Sequence, residues 1–379
     1  MTIPDFFPFV LYFACAFYCL TLLFLLYGIT RSRQAHTIPT PTVSVIVAAR
    51  NEEHHIRALL DCLMNQSYPE YEIIIVDDRS EDRTDEIVKS AQSGNKQVTL
   101  LSIKAPNPDM PSKKNALTAG IKAAKGVILL FTDADCRPPS NWISRLVQAF
   151  DDNVGLVAGY SPYDAKMLSG ESPAESPGLF QAFIRYEELK AALWSWGAIG
   201  VGKAWLCTGR SLAYRKTVWE EVGGFGNIRH SVSGDDDLFL QLVRRSTSWE
   251  IRYVSAKDSH VPTKPPRTVG QFLEQRKRHF SAAKYFPLTM KVFFAVFHGS
   301  NVLLYCGFIA SVFGCSAGLW LFLVKSFFDF VFIWLGSRRL GSSAPVFSFF
   351  VMEVVYVLYN ALIGPLGLFG SFKWKTQTT

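Results

Sequence analysis

The sequence predicts an α/β domain with a mostly parallel, doubly wound sheet, placed between an N-terminal membrane helix and several C-terminal ones. Two observations lead to this prediction. Apolar, β-branched runs alternate with helical stretches through the middle of the chain, as in a parallel sheet with helices on both faces. Uncharged runs near both ends are about as long as a helix needs to cross a bilayer.

The first uncharged run covers residues 6–26. We expect a retained anchor rather than a cleaved signal peptide, because no basic residue precedes the run and no small-x-small cleavage site follows it. Three further candidate spans are residues 292–313, 315–335 and 345–369. The predicted division is therefore an anchor at 1–30, a polar domain at 31–285 and a membrane region at 286–379.

Basic residues beside the spans predict the orientation. Arg31 and Arg33 follow the first span, so the positive-inside rule places the polar domain in the cytoplasm and the protein in the inner membrane. Arg338 and Arg339 put the loop after the third span on the same side. Full crossing by the last segment would place the basic 373–375 stretch outside, so the topology of that segment stays open.

Charge and cysteine content exclude some classes of protein. The formal net charge of +7 is explained by Lys and Arg next to membrane spans, and the sequence carries no nucleic-acid-binding motif. The 7 cysteines show neither CxxC nor Cys/His metal spacing, which is typical of reduced thiols. We therefore expect no nucleic-acid partner.

The polar domain begins with strand and helix in alternation. Each predicted strand is short and apolar, and each is followed by a stretch with helical character. In chain order we predict a strand at 42–50, a helix at 51–64, a strand at 73–76, a helix ending at 90, a strand at 98–103, a helix at 113–125 and a strand within 126–135.

Acidic side chains follow three of these strands. The segment 50–53, the pair Asp77 and Asp78, and the pair Asp133 and Asp135 all come at carboxyl ends, where parallel sheets bind ligands. Clustered carboxylates repel one another unless a cation joins them, and hard oxygen ligands suit Mg²⁺ or Mn²⁺. The sequence therefore predicts a divalent cation whose coordination shell is completed by a phosphate.

Seven motifs follow one another along residues 43–280: VSVIVAARNEE, IIIVDDRSEDRT, KKNALTAG, GVILLFTDAD, TGRSLAYRKTVWEEVGGF, SGDDDLFL and QRKRH. In this order they resemble the glycosyltransferase family 2 catalytic domain. That resemblance implies the GT-A nucleotide-sugar fold, which is Rossmann-like. The arrangement of membrane segments in this chain is similar to that of the ceramide and carotenoid-type lipid glycosyltransferases.

The resemblance implies which residues bind the donor. Asp133 falls near the ribose and Asp135 on the metal that bridges the diphosphate, with Asp133 beside it. Lys113 matches the family lysine, although its neighbour Lys114 leaves that assignment open by one residue. The uracil and ribose of a UDP-sugar would be held by Ala48, Arg50, Glu52, Asp77 and Asp78.

The resemblance also implies the catalytic residues. Asp235 aligns with the catalytic base in one register and Asp236 in the other, and we prefer Asp235. The last motif matches the family at Gln275 and Arg278, but His279 replaces the family tryptophan. We expect Arg278 near the leaving diphosphate and His279 near the acceptor.

The implied reaction is inverting transfer of a sugar from a nucleotide-sugar, with UDP the expected nucleotide, to a lipid hydroxyl. Two alternatives stay open: a processive polysaccharide synthase, and an inactive membrane protein that binds nucleotide-sugars. A nucleotidyltransferase is disfavoured because AARNEE lacks a glycine-rich phosphate loop, and a transporter because most of the chain is polar. Lys325 and Asp329, four residues apart in a span, are expected to form an intramembrane ion pair.

Overall fold

The computed structural model describes residues 6–31, 40–167, 178–343 and 348–369, with the backbone of two short strands beyond them. Arg33 and the start of the predicted span at 345 lie outside the described residues. The chain forms two compact units. The sheet unit comprises Ser32–Ser176 and Ala198–Pro265, and the helical unit comprises Met1–Arg31, Pro177–Gly197 and Pro266–Thr379. The helical unit thus includes two segments from within the predicted polar domain at 31–285.

The sheet unit is built on one seven-stranded sheet among the described residues, in the order β3-β2-β1-β4-β6-β5-β7. Only β6 is antiparallel to its neighbours, so the predicted mostly parallel sheet is confirmed. The strands are β1 (Val43–Ala49), β2 (Tyr71–Asp78), β3 (Val98–Ile103), β4 (Ile128–Phe131), β5 (Val154–Gly159), β6 (Leu212–Arg215) and β7 (Glu250–Val254).

The first four strands match the sequence prediction closely, because each is a short apolar run. β1, β2 and β4 are mostly buried, whereas β3 at the edge of the sheet is mostly half-buried. The last three were not predicted. β5 is an apolar run, but its two glycines are weak strand formers; β6 has only four residues, and β7 carries charged residues.

The helices follow the strands in alternation and then continue into the apolar C-terminal region. In chain order they are α1 (Phe7–Thr30), α2 (Ile56–Met64), α3 (Thr84–Gly94), α4 (Ser112–Ala123), α5 (Trp142–Val147), α6 (Leu179–Gly200), α7 (Lys216–Glu221), α8 (Asp237–Ser246), α9 (Val269–Ser281), α10 (Leu288–Ser311), α11 (Ser316–Arg339) and α12 (Phe349–Phe369).

Helix α4 packs unusually close to the sheet, and this contact places its first turn near the strand ends. A Cβ at Gly120 would meet the Ile46 side chain of β1 and the Val76 side chain of β2. Only glycine allows this approach, so the side chains at the start of α4 reach the edge of the sheet where β1, β2 and β4 end.

Among the described residues, three helices of the helical unit are long and apolar enough to span a membrane: α1, α10 and α11. Helix α12 has a shorter apolar stretch, Phe349–Gly364. Glycines permit close helix packing, since a Cβ at Gly318 of α11 would collide with the backbone of Gly307 in α10.

A charge cluster lies buried inside the helical unit. The predicted ion pair is confirmed, with Lys325 Nζ 2.8 Å from Asp329 Oδ2 and both side chains fully buried. Lys325 also lies 3.1 Å from Glu353 on α12, and Lys190 on α6 pairs with Glu353. The Tyr18 hydroxyl of α1 donates to Asp329 at 2.8 Å. Two cations and two anions therefore link α6, α11 and α12 at the centre of this unit.

Candidate functional site

Three strand ends form the floor of the candidate site. β1 pairs in parallel register with β2 on one side and β4 on the other, so their carboxyl ends meet at one edge of the sheet. Ala48 is the second-to-last residue of β1 and pairs with Val76 of β2. Asp77 and Asp78 are the final residues of β2. The predicted clustering of acidic strand ends therefore has a structural basis.

The loops after β1 and β2 brace one another. Asn51 and Arg79 both have the left-handed backbone conformation, with φ of 54° and 59°, which is strained for residues other than glycine. The amide of Asn51 donates to the Ser80 hydroxyl at 2.9 Å, and the Asn51 side chain accepts from the amide of Glu81 at 2.9 Å. These bonds hold Arg50 and Glu52 at the strand ends.

The acids at the end of β2 are buried in different environments. Asp77 and Asp78 are each 4% exposed. Asp78 accepts from Nε of Arg79 at 2.9 Å. Asp77 accepts through Oδ2 a long bond of 3.3 Å from the Ser80 amide, and its Oδ1 is buried without a partner among the described residues. Oδ1 of Asp77 is therefore an unsatisfied, buried acceptor at the end of β2.

Lys113, in the first turn of α4, joins two acids that are far apart in sequence. Its Nζ lies 3.0 Å from Oδ1 of Asp133 and 3.0 Å from Oδ2 of Asp235. Burial disfavours the charged ammonium, but the two carboxylates outweigh that effect and raise the pKa of Lys113 above its ordinary value. The structure thus brings together the acid that follows β4 and the acid that precedes α8.

Asp133 and Asp135 differ in their electrostatic surroundings. Burial opposes ionisation of Asp133, but Lys113 outweighs it and lowers the pKa of that carboxyl. Burial, together with the nearby charges of Asp133 and Glu52, raises the pKa of Asp135. Arg210 favours the ionised form of both acids. Asp135 is therefore an acid in an environment of excess negative charge.

Glu52 is fixed by its neighbours. Its carboxylate accepts from Nδ1 of His55 at 2.9 Å, and the other ring nitrogen of His55 lies 3.4 Å from Nζ of Lys264. Its backbone amide donates to the Thr84 hydroxyl at 2.8 Å. The charge of Glu52 acts on Asp135 and raises the pKa of that carboxyl, although burial is the larger cause.

The consecutive acids Asp235 and Asp236 have different partners. Both carboxylate oxygens of Asp236 accept backbone N–H groups, from Asp237 at 2.8 Å and from Gly209 at 2.9 Å. Asp236 is thus the N-cap of α8 and fixes the segment that leads into β6. Asp235 instead forms the ion pair with Lys113.

The two adjacent lysines also differ. The sequence left the family lysine open between Lys113 and Lys114. Lys113 is the one that contacts Asp133 and Asp235, whereas Lys114 is fully buried and donates to backbone carbonyls of a loop. Sequence reasoning missed the contacts of Lys114, since a Lys-Lys pair at a helix start is normally solvated.

The remaining predicted residues lie in the helical unit. Gln275, Arg278 and His279 are on α9, so their roles at the donor and acceptor stay predictions. Between them Arg276 is buried and pairs with Glu187 of α6. This buried pair fixes α9 against α6 within that unit.

Whether the site can bind a metal ion depends on which side chains could act as its ligands. Within the described ranges no group of three or more His, Cys, Asp or Glu side chains converges as a complete metal cluster. The excess negative charge around Asp135 nevertheless suits a divalent cation, and a carboxylate is the ligand type that Mg²⁺ and Mn²⁺ take alongside phosphate. The residues present therefore fit such a cation.

Comparison with known proteins places the chain among glycosyltransferases. The family model described as "Glycosyl transferase family 2" matches residues 44–210, and that described as "Glycosyl transferase family group 2" matches residues 128–363, which is more than half of the chain. The glycosyltransferase AglE of Haloferax volcanii is 27% identical over 245 residues, covering 64% of this chain and 73% of AglE. The beta-monoglucosyldiacylglycerol synthase of Nostoc is 33% identical over 120 residues, covering 31% of this chain and 25% of that synthase.

The solved structures show the fold. The mannosyltransferase PcManGT of Pyrobaculum calidifontis, solved in complex with GDP-Man and Mn²⁺, superposes with a TM-score of 0.51 at 19% identity. The match covers 94% of this chain and 93% of PcManGT. The predicted GT-A fold is thereby confirmed, and the three long apolar helices among the described residues coincide with three of the four predicted membrane spans.

Proposed function

This chain belongs to glycosyltransferase family 2, and from that premise we propose that it transfers one sugar from a UDP-sugar to a hydroxyl of a membrane lipid, with inversion at the anomeric carbon. Nucleotide-sugar transfer is the activity of the family, whereas the donor base, the acceptor and the residue roles are part of the proposal. The observation that carries the proposal is the pair of contacts through which Lys113 joins Asp133 and Asp235.

The identity of the donor sugar nucleotide is proposed from the hydrogen-bond acceptors at the strand ends. A uracil offers an N–H and a ribose offers two hydroxyls, so both need hydrogen-bond acceptors. The unpaired Oδ1 of Asp77, with Asp78 beside it, supplies such acceptors in a buried position. PcManGT was solved with GDP-Man, so GDP-sugars belong in the test as the competing donors.

Asp135, with Asp133 beside it, is the residue that we propose to hold Mg²⁺ or Mn²⁺. Such a cation supplies Lewis-acid stabilisation of the charge on the departing diphosphate. PcManGT was solved with Mn²⁺, which supports testing that ion alongside Mg²⁺.

Asp235 is the proposed general base. It accepts the proton of the acceptor hydroxyl while the hydroxyl oxygen forms a bond to the anomeric carbon and the bond from that carbon to the diphosphate oxygen breaks. Lys113 lies within reach of Asp235 and Asp133, so its ammonium can offset negative charge on the leaving group. Arg278 is proposed to assist at the diphosphate, with Gln275 and His279 serving the acceptor side.

A lipid acceptor is proposed from the membrane helices. In chain order the sheet segments are connected to segments of the helical unit, whose described part includes three helices apolar enough to span a membrane. The Nostoc relative, by its name, makes a glucosyl lipid. Arg31, Arg338 and Arg339 at the helix ends support a cytoplasmic catalytic unit at the inner membrane.

The test is transfer by the purified, detergent-solubilised protein. It is incubated with Mg²⁺ or Mn²⁺, a panel of UDP- and GDP-sugars, and a membrane lipid extract, and Asp235→Asn serves as the matched control. We expect an organic-soluble product that gains the mass of a single sugar. A long water-soluble polysaccharide would establish the processive alternative, and donor binding without transfer would establish the inactive one.

A further inference from the structure

Lys114 is a buried lysine whose ammonium group donates three hydrogen bonds to one loop. The side chain is fully buried, and its Nζ donates to the carbonyl oxygens of Ile228 at 3.0 Å, Ser233 at 2.7 Å and Ser231. An ammonium has three N–H donors and no acceptor. Three carbonyls from one short segment therefore satisfy it completely.

The loop that Lys114 holds leads directly to Asp235. It begins at the end of a 3₁₀ turn, Gly226–Ile228, and continues through Ser233 to Gly234. Gly234 has a φ of 82°, and a Cβ there would meet the Leu238 side chain, so only glycine fits. The backbone before Asp235 is thus fixed by Lys114 on one side and by the start of α8 on the other.

The loop that Lys114 holds is itself largely buried. Ile228 and Ser231 are 5% and 2% exposed, so their carbonyls need donors from within the protein, and the ammonium of Lys114 supplies them. The neighbouring Lys113 contacts the carboxylate of Asp235 itself. The first turn of α4 therefore holds both the acid and the backbone that carries it.

We propose that Lys114 is a positioning residue, which fixes the 228–233 loop so that the Asp235 carboxylate stays beside Lys113 and Asp133. The inference rests on the proposed function, because it assigns Lys114 a role only through Asp235 as the base. Lys114 itself does not contact the substrate in this mechanism. A change at Lys114 should therefore affect turnover more than donor binding.

Variants of α4 test whether Lys114 affects turnover more than donor binding. Lys114→Met removes all three donors at similar length, Lys114→Gln keeps two, and Lys122→Met changes an exposed lysine of the same helix as control. We expect Lys114→Met to lose about 10²-fold in kcat, the scale for a misplaced general base, with the Kd for UDP little changed. Lys114→Gln should retain more turnover than Lys114→Met, and Lys122→Met should behave as wild type.

A double variant separates positioning from a general structural effect. If Lys114 acts through Asp235, then Lys114→Met should cost little further turnover once Asp235→Asn has removed the base. An equally large loss on both backgrounds would overturn the proposal, as would wild-type kcat in Lys114→Met.

The wild-type pH profile gives a second test that does not depend on a variant folding. Burial lowers the pKa of Lys114 to about 8; Asp235, Asp236 and Asp237 favour its cation, and Lys113 disfavours it. The cation therefore persists below that pH and is lost above it. A neutral amine has two N–H donors for three carbonyls, so we expect kcat to fall as the pH rises through about 8. A kcat that stays level well above that pH would contradict the proposal.

Failure of this inference differs from failure of the proposed function. If Asp235→Asn transfers sugar normally, or if wild type transfers none, the proposed function fails. If Asp235→Asn is inactive while Lys114→Met turns over like wild type, only the role of Lys114 is wrong.

Discussion

The ammonium of Lys113 lies 3.0 Å from the carboxylate of Asp235, and the same nitrogen lies 3.0 Å from Asp133. Lys113 therefore links the segment after β4, which carries Asp133 and Asp135, to the loop that carries Asp235, the proposed base. The ammonium of Lys113, paired with two carboxylates, can replace one of these ion pairs by an ion pair with a phosphate oxygen after little movement. Lys113 is therefore suited to respond to donor binding.

The first prediction concerns Lys113. We expect Lys113→Met to lower kcat/KM for the donor by about 10-fold to 100-fold, the scale for losing one hydrogen bond to a charged group. The loss should include weaker UDP binding, measured by calorimetry. Lys122→Met, an exposed lysine on the same helix, is the control. Unchanged UDP affinity in Lys113→Met would show that Lys113 does not contact the diphosphate.

The second prediction separates Asp235 from Asp236. Asp235→Asn should still bind UDP and keep its thermal stability, yet lose about 10²-fold or more in rate. Asp236→Asn should instead lower the unfolding temperature, because each carboxylate oxygen accepts one backbone N–H and the substitution replaces one of these oxygens by an NH2 donor. An inactive but fully stable Asp236→Asn, beside an active Asp235→Asn, would move the base to Asp236.

The third prediction concerns the cation at Asp135. Excess chelator should abolish transfer, and Mg²⁺ or Mn²⁺ should restore it. Asp135→Asn should weaken metal-dependent UDP binding, measured by titrating UDP with and without the cation. Asp109→Asn, on an exposed loop, is a control of matched chemistry. Full activity in excess chelator would exclude the metal.

Much of this site could be predicted because its residues follow apolar strands. Asp77, Asp78 and Asp133 were identified from strand ends alone, since parallel strands bring their carboxyl ends to one edge. Asp235 was identified only through family resemblance, because the loop before α8 has no strand to place it. The role of Lys114 depends on three backbone carbonyls, and backbone contacts leave no pattern in the sequence.

In the helical unit too, a contact within one helix could be predicted from the sequence, whereas contacts between helices could not. The pairing of Lys325 with Asp329 could be predicted because residues four apart share a helix face. Their contacts with Lys190 and Glu353 join α11 to two other helices, α6 and α12. No local periodicity predicts such partners.

The last prediction concerns this buried charge cluster. Lys190 and Lys325 balance Asp329 and Glu353, and all four side chains are almost completely buried. Lys325→Met leaves one cation for two anions, and removing one partner of a buried pair costs about 3–5 kcal/mol. We therefore expect a clear fall in the unfolding temperature in detergent.

The charge reversal Lys325→Asp with Asp329→Lys tests whether charge balance is the cause. It keeps the number of cations and anions, so it should recover part of the stability lost in Lys325→Met. Phe327→Leu, at a residue of α11 that is 62% exposed, is the control and should leave the unfolding temperature nearly unchanged. If Lys325→Met unfolds like wild type, the cluster does not stabilise the helices. If Lys325→Met stays stable but sugar transfer is lost, the cluster takes part in function instead, since ionisable groups inside a membrane are retained chiefly for stability or for function.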